Sequence, residues 1–426
     1  MRVFRRGFAA CAVLALAWGA LAACASEELR TYEPPAQSTD ALPAPLRAQL
    51  DEALAHAVEV SAASGAIAGV WVPEVGMWVA GTGTQSSGTA EPVRPEQSFR
   101  IAQLTRLMTC DVLHRVAEEG TVSLTDSVAE WVSGVGSLSA ATLGQLCDGT
   151  SGLGSSAEQL TKIWNDNPER VWTPLELAGH GISRFDAAAR GSYRDSDAGY
   201  VLLGLALERA TGKTASELIA HYVTGPLGLT DTVLPGAAPA EPGADPLRGH
   251  LVDTEDGARV CEAARDVTRA SASAGFTDAG VVSTITDLGR YLRAAASAAL
   301  FSDENAPRFG APVAASPTDP TWRRAIGGAQ YAGPFVGQFG SVPGYSVAGF
   351  SDPASGLTVA VVLNDSTDGG TLALYLALEL AALAAQAPMG DGTPLALPFT
   401  AATYHEALDA LPPCVAASAP EEEEAE

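Results

Sequence analysis

Lysine is nearly absent from this 426-residue chain: Lys162 and Lys213 are the only two, so arginine makes up almost all of the 25 basic residues. Fifty acidic residues outnumber them and set the formal net charge at −25. So acidic a chain repels nucleic acid and anionic headgroups, which excludes nucleic-acid binding as a function class. No CxxC pair occurs and the six histidines are scattered, so no zinc pattern is present, and neither metal nor cofactor is expected. No Gly-x-Ser-x-Gly elbow exists, which leaves an α/β-hydrolase without its nucleophile; Ser346 in "GYSVAG" comes nearest and reads as a strand serine. No internal repeat is visible. Apolar residues make up 47% of the sequence, enough to bury a sizeable core in one large domain or two smaller ones.

The first residues, "MRVFRRGFAACAVLALAWGALAAC", combine a basic start, an apolar run and small residues before Cys24. This is an export signal, and residues 1–23 are not read as fold. "LAAC" resembles a bacterial lipobox, which implies cleavage before Cys24 and lipidation of its thiol; an uncleaved anchor is the alternative. Either way the domain is expected outside the cytoplasm, held at the cell membrane. Cleavage removes three arginines and no acid, leaving 22 basic against 50 acidic residues and a net charge of −28. Residues 24–42 are polar and Pro-containing, a linker. The main domain is expected over 43–390, a C-terminal extension over 391–414 and an acidic, solvated tail over 415–426. Cys11 leaves with the signal. Cys110, Cys147, Cys261 and Cys414 remain, an even number in an oxidising compartment; three pairings are open, and buried free thiols are the alternative.

Helical spacing of apolar residues runs through "LRAQLDEALAHAVEVSAA". "AIAGVWVPEVGMWVAGTGT" reads as two strands joined at Pro73–Gly76. "LTRLMTCDVLHRVAEEG" is a helix stopped by Gly120, with His114 expected to face solvent. Further helices are expected in "SLTDSVAEWV", "YVLLGLALERATG", "ASELIAHYVTGPLGL" and "GVVSTITDLGRYLRAA". "GYSVAGFSDPASGLTVAVVLND" then gives two strands, and "TLALYLALELAALAAQA" a last helix. Residues 235–275 and 300–325, rich in Pro, Gly and Ala, read as surface excursions. This order is not βαβ alternation. It predicts an α+β fold: an antiparallel sheet built from both chain ends, flanked by helices, with a mostly helical insertion.

Several stretches, in order, resemble one family. "FRIAQLTRLMT" and its sequel resemble a nucleophile helix, and "TSGLG" (150–154) a conserved turn. "SDAGYVLLGLALERATGKTASELIAHYVTGPLGLTDT" resembles a second-motif region, and "FGSVPGYSVAGFSDPASGLTVAVVLND" a third-motif strand with its partner. Over about residues 45–385 the chain resembles the serine β-lactamase-related proteins and D-alanyl-D-alanine peptidases of the penicillin-recognising fold. That resemblance implies a β-lactamase/transpeptidase-like architecture and acyl transfer through a serine. A lysine three residues on lies on the same helix face, a second-motif tyrosine completes the proton relay, and a third-motif cation holds the substrate carboxylate.

The matching positions carry other groups. Gln103 stands at the nucleophile position and Arg106 at the lysine; a guanidinium has no accessible neutral form and cannot serve as a base. Asp195 falls at the tyrosine position and Asp197 at the asparagine, with Tyr193 two residues away on a loop. The third motif reads Gln338-Phe339-Gly340. Neither lysine has a serine three residues before it; those positions are Gln159 and Ala210. Thr105 points away round the helix. No catalytic residue is therefore assigned. Exchanging Lys and Tyr for Arg and Asp turns a proton relay into an ion pair, so Arg106 is expected within reach of Asp195 or Asp197. Backbone N–H groups at Gln103 and near Ser341 remain as a carbonyl- or anion-binding corner, with Arg106 and Tyr193 as further ligand contacts. Three functions stay open: a silent binder of cell-wall peptide, a weak hydrolase using an unrecognised nucleophile, or a structural protein that docks an envelope partner.

Overall fold

A computed structural model of the protein describes residues 37–255, 258–301, 313–314, 322–324, 327–388 and 392–415. The expected signal peptide, Cys24, residues 24–36 of the linker and residues 416–426 of the tail lie outside the described residues.

The strands are β1 (Gly65–Val72), β2 (Gly76–Gly83), β3 (Phe99–Arg100), β4 (His250–Glu255), β5 (Ala258–Asp266), β6 (Val282–Ser283), β7 (Val313–Ala314), β8 (Trp322–Arg324), β9 (Gln330–Ala332), β10 (Phe335–Val342), β11 (Tyr345–Ser351) and β12 (Thr358–Leu363). Eight of them form one sheet in the order β2-β1-β12-β11-β10-β9-β8-β7. Its pairings are antiparallel, and β1, from the start of the chain, is laced to β12, from the end, by pairs such as Ala66↔Leu363 and Val70↔Val359. The β1–β2 hairpin turns through residues 73–75, with Glu74 left-handed at φ 65°.

β1, β11 and β12 are buried at every position, because helices cover both faces of the sheet. The pleat divides β1 between two cores: Ala66, Ala68, Val70 and Val72 face one, Ile67 and Trp71 the other. The first core is closed by helices Ala44–Val60, Thr371–Ala384 and Ala401–Asp409. The second is closed by Ile285–Ala296 and the helical insertion. There the Trp71 indole lies so close to Gly289 that a Cβ at 289 would meet it at 2.4 Å, so only glycine lets that helix down onto the sheet.

The Thr105–Glu118 helix runs through the middle of the second core and is buried at every position from Thr105 to Leu113. Beside it, Asp197–Thr211 starts at Ser196, whose hydroxyl accepts from the Gly199 N–H, and stops at Gly212 in the left-handed region. Two disulfides form: Cys110–Cys147, which ties the buried helix to Leu143–Cys147, and Cys261–Cys414.

Some expectations need correcting. Residues 235–275 are not a plain excursion: β4 and β5 pair there as a ribbon that buries Leu251, Val252 and Val260. Within 300–325, β7 and β8 extend the main sheet. The linker ends early, since Ala41 bridges Met77 and Leu42 is buried. His114 is half-buried, edge-on to Phe301 with centroids 5.9 Å apart. Among the described residues no helix is long and apolar enough to cross a membrane.

Candidate active-site cleft

Arg106 sits in the first turn of a helix that has no free face, so its guanidinium is buried with the helix. A buried guanidinium needs anionic acceptors, and two are present. Nη1 donates to Asp195 Oδ1 at 2.6 Å and Nε donates to Asp278 Oδ1 at 2.7 Å. Its face also lies over Tyr200, 4.6 Å from the ring centroid. Burial opposes the charge, but Asp195 and Asp278 outweigh it and hold the Arg106 pKa well above the ordinary arginine value.

The expected ion pair therefore forms with Asp195 and not with Asp197. Asp278 is a partner that the sequence reading missed. Its side chain is 7% exposed, against 57% for Asp195. Burial, with Asp197 nearby, pushes the Asp278 carboxyl up to about 6 although Arg106 pulls the other way. A guanidinium carries five donors, which was the one signal that a single carboxylate would not suffice. Tyr193 joins the group by donating from its hydroxyl to Asp195 Oδ1 at 3.1 Å.

Asp197 is used differently: Oδ1 accepts from the Ser155 hydroxyl and the Ser156 N–H, both at 2.7 Å. Gln338 is buried inside the sheet. It donates to the Gly328 carbonyl at 2.7 Å and accepts from Gln330 Nε2 at 2.9 Å and from the Phe339 N–H at 3.0 Å. It thus spends its hydrogen bonds on framework. Thr105 faces inward and accepts from the Val281 N–H, and the Ser346 hydroxyl donates to the Gly369 carbonyl.

Gln103 lies in a short 3₁₀ turn just before the buried helix, and Ala102 ahead of it has φ 50°. A non-glycine residue in that region stores about 1 kcal/mol or more, a strain typical of functional turns. The Gln103 side chain is pressed onto β10: a Cβ on Gly340 would stand 1.8 Å from Gln103 Oε1. A side chain at 340 would force the Gln103 amide to move. Gln103 Oε1 is buried and has no hydrogen-bond partner among the described residues.

β9 pairs with β10 only as far as Gly337. Beyond that point the β10 edge opens on a cavity of about 230 Å³ lined by Gln103, Ser341, Asp197, Asp278, Trp164 and Arg100 among others. The Phe339 N–H is taken by the Gln338 side chain, and by the two-residue alternation of a strand the Ser341 N–H points to the same edge. Arg100, also missed, brings a cation to the wall. Its N–H groups are taken by the carbonyls of Thr268 and Ala240 at 2.8 Å and Ala270 at 3.2 Å, and burial lowers its pKa. Gln103, Asp197, Ser341 and Asp278 thus converge on one cleft, Arg106 and Asp195 form the ion pair beside it, and Gln338 is withdrawn into the sheet.

An antiparallel sheet closed by both chain ends, with a buried helix starting at the mouth of a cleft, is the β-lactamase/transpeptidase-like architecture. Residues 50–383 match the Beta-lactamase family model, and the chain belongs to that family. It is 29% identical over 236 residues to the D-alanyl-D-alanine-carboxypeptidase/endopeptidase AmpH of Escherichia coli strain K12, over 52% of this chain and 56% of that protein. The chain thus spans about half the length of that relative. Among solved structures it is similar to a D-stereospecific amidohydrolase from Streptomyces sp. (TM-score 0.67, 22% identity, 78% of this chain and 98% of that one). It is also similar to the octameric penicillin-binding protein homologue from Pyrococcus abyssi (TM-score 0.63, 23% identity, 80% and 76%). At such identities these two likenesses concern the fold.

Proposed function

We propose that this domain binds peptide-like cell-wall ligands in its cleft without cleaving them, held at the outer face of a membrane through lipidated Cys24. The observation that carries the reading is the fixed guanidinium of Arg106, clamped by Asp195 and Asp278. It stands one helical step from Gln103, where an acyl-transfer enzyme needs a group able to take a proton. An amide at 103 forms no acyl-enzyme. The cleft still offers a strand edge and the Ser341 N–H for an amide carbonyl. Asp197 and Asp278 on its wall disfavour a terminal carboxylate, and the lining cation Arg100 already donates to the carbonyls of Thr268, Ala240 and Ala270. One relative's name is that of a D-alanyl-D-alanine-carboxypeptidase/endopeptidase, and peptides containing D-alanine are the ligand class proposed here.

Incubation of the purified protein with a fluorescent penicillin tests this directly. No covalent label is expected, and none in Gln103→Ser either, because Arg106 cannot accept the new hydroxyl's proton. Labelling of the wild type overturns the reading, and labelling that persists in Gln103→Ala identifies another nucleophile and a weak hydrolase. Thermal shifts with cell-wall fragments separate a binder from a purely structural protein, since a ligand bound only by the native state raises Tm.

A further inference from the structure

On the face of the sheet away from the cleft, the C-terminal helix Ala401–Asp409 packs against Thr371–Ala384 and Ala44–Val60. His405 and Asp409 are four residues apart and share one side of that helix. His56 meets them from Ala44–Val60, and Glu379 from Thr371–Ala384. His56, His405 and Asp409 each bring one ligand atom within 4.8 Å of the others. His56 Nε2 lies 2.9 Å from Asp409 Oδ1, and His405 Nδ1 lies 2.9 Å from Glu379 Oε1.

Two features distinguish this group from a pair of surface ion pairs. The first is direction. Glu379 engages the Nδ1 of His405 and leaves its Nε2 available, the arrangement by which a carboxylate orients a metal-ligating imidazole. The second is the burial of the acid. Glu379 is 4% exposed in an otherwise apolar helix, and its Oε2 has no partner among the described residues, nor does the buried Nδ1 of His56. A buried carboxylate that serves only a half-exposed histidine is expensive to keep. Holding a ligand in place accounts for it.

We propose that His56, His405 and Asp409 bind one divalent transition-metal ion of the zinc type, with Glu379 positioning His405, and that the ion staples the C-terminal helix to the N-terminal helix. Two imidazole nitrogens and one carboxylate oxygen suit zinc rather than magnesium or calcium, with water as the fourth ligand. Ligand atoms in a tetrahedral zinc shell stand about 3.4 Å apart. The two rings, now stacked with centroids 4.0 Å apart, therefore rotate out of the stack to close on the ion. His405 and Asp409, 42% and 55% exposed, have the freedom to do so.

The untagged full-length chain, stripped with a chelator, is titrated with zinc by calorimetry and with cobalt(II) by visible absorption. One equivalent of zinc should bind and raise Tm, and cobalt should give the strong d–d bands of a tetrahedral site. Asp409→Asn and His56→Gln should each weaken zinc binding at least tenfold. Glu379→Gln should weaken it roughly 10–100-fold, the usual effect of losing such an outer carboxylate. His180→Gln, on a helix of the insertion, should leave it unchanged. The absence of a one-equivalent phase overturns the proposal, as does unaltered affinity in the His56→Gln/Asp409→Asn double variant; the single Asp409→Asn change, at a residue whose side chain is 55% exposed, is the variant in which loss of fold does not cloud the result.

Discussion

A guanidinium with no neutral form can be buried only where carboxylates meet it, and a carboxylate buried beside it inherits the same dependence. Removing Arg106 leaves Asp278 as an uncompensated buried acid. Arg106→Ala should cost about 3–5 kcal/mol in urea unfolding at pH 7, and less at pH 5, where Asp278 takes up a proton instead. Its pKa in the folded protein is about 6, above the ordinary value of 3.8. The stability tied to this group is therefore fully present below pH 4 and is lost as pH rises through about 6. Burial raises Asp365 to about 6 as well, with the same sign. Asp278→Asn and Asp365→Asn should each flatten the pH dependence of unfolding between pH 4 and 7; an unchanged slope in both would refute these two titrations. The pairing of Arg106 with an aspartate was legible in the sequence because the exchanged residues fall at matched motif positions. Asp278 was not, since it lies 172 residues away in "GFTDAG", which carries no pattern of its own.

At the scale of elements, periodicity revealed what was regular and long. The β1–β2 hairpin, the Thr105–Glu118 helix, the Asp197–Thr211 helix and the β11–β12 pair all stand where alternation or helical spacing put them. The β4–β5 ribbon was missed because "HLVDTE" and "ARVCEAARD" mix charges among their apolar residues and so hide a strand's alternation. It nevertheless anchors the chain's end. Arg259 on β5 is buried. It donates to Asp368 Oδ2 at 2.7 Å, to the Val60 carbonyl at 3.0 Å and to the Pro412 carbonyl, while the Val415 N–H returns to the Arg259 carbonyl. Cys261–Cys414 locks this junction across 153 residues. A loop of that length gives up about 5 kcal/mol of unfolded-state entropy when closed, an upper figure. Cys414→Ser should lower Tm by several degrees and open the segment after 392 to limited proteolysis, read as early loss of the C-terminal helix. A protease pattern identical to that of the wild type would mean that Arg259 alone suffices to hold the segment.

For the whole molecule the governing quantity is charge. Fifty acidic residues against 25 basic ones place −25 on the chain. Two effects of salt then oppose each other. Screening weakens exposed ion pairs such as Arg94–Asp245, Lys162–Asp166 and Arg170–Glu176. Screening also relieves the repulsion among the excess acids, which acts over the whole surface at low ionic strength, where the Debye length is about 30 Å at 0.01 M. The pairs act locally; the acidic excess is spread over the chain. Stability should therefore rise as sodium chloride goes from 10 to 200 mM, with Tm increasing by a few degrees and most of the gain complete near 150 mM, where the Debye length has fallen to about 8 Å. The buried pairs Arg106–Asp278 and Arg259–Asp368 should contribute little to this slope, being shielded from ions. A Tm that falls over the same range would show that local pairs, not the acidic excess, set the electrostatic balance. The same field bears on the binding proposed for the cleft: a field of this sign attracts a cationic ligand and resists an anionic one, so the proposed binding, tested with an amine-bearing peptide, should weaken with added salt while thermal stability grows.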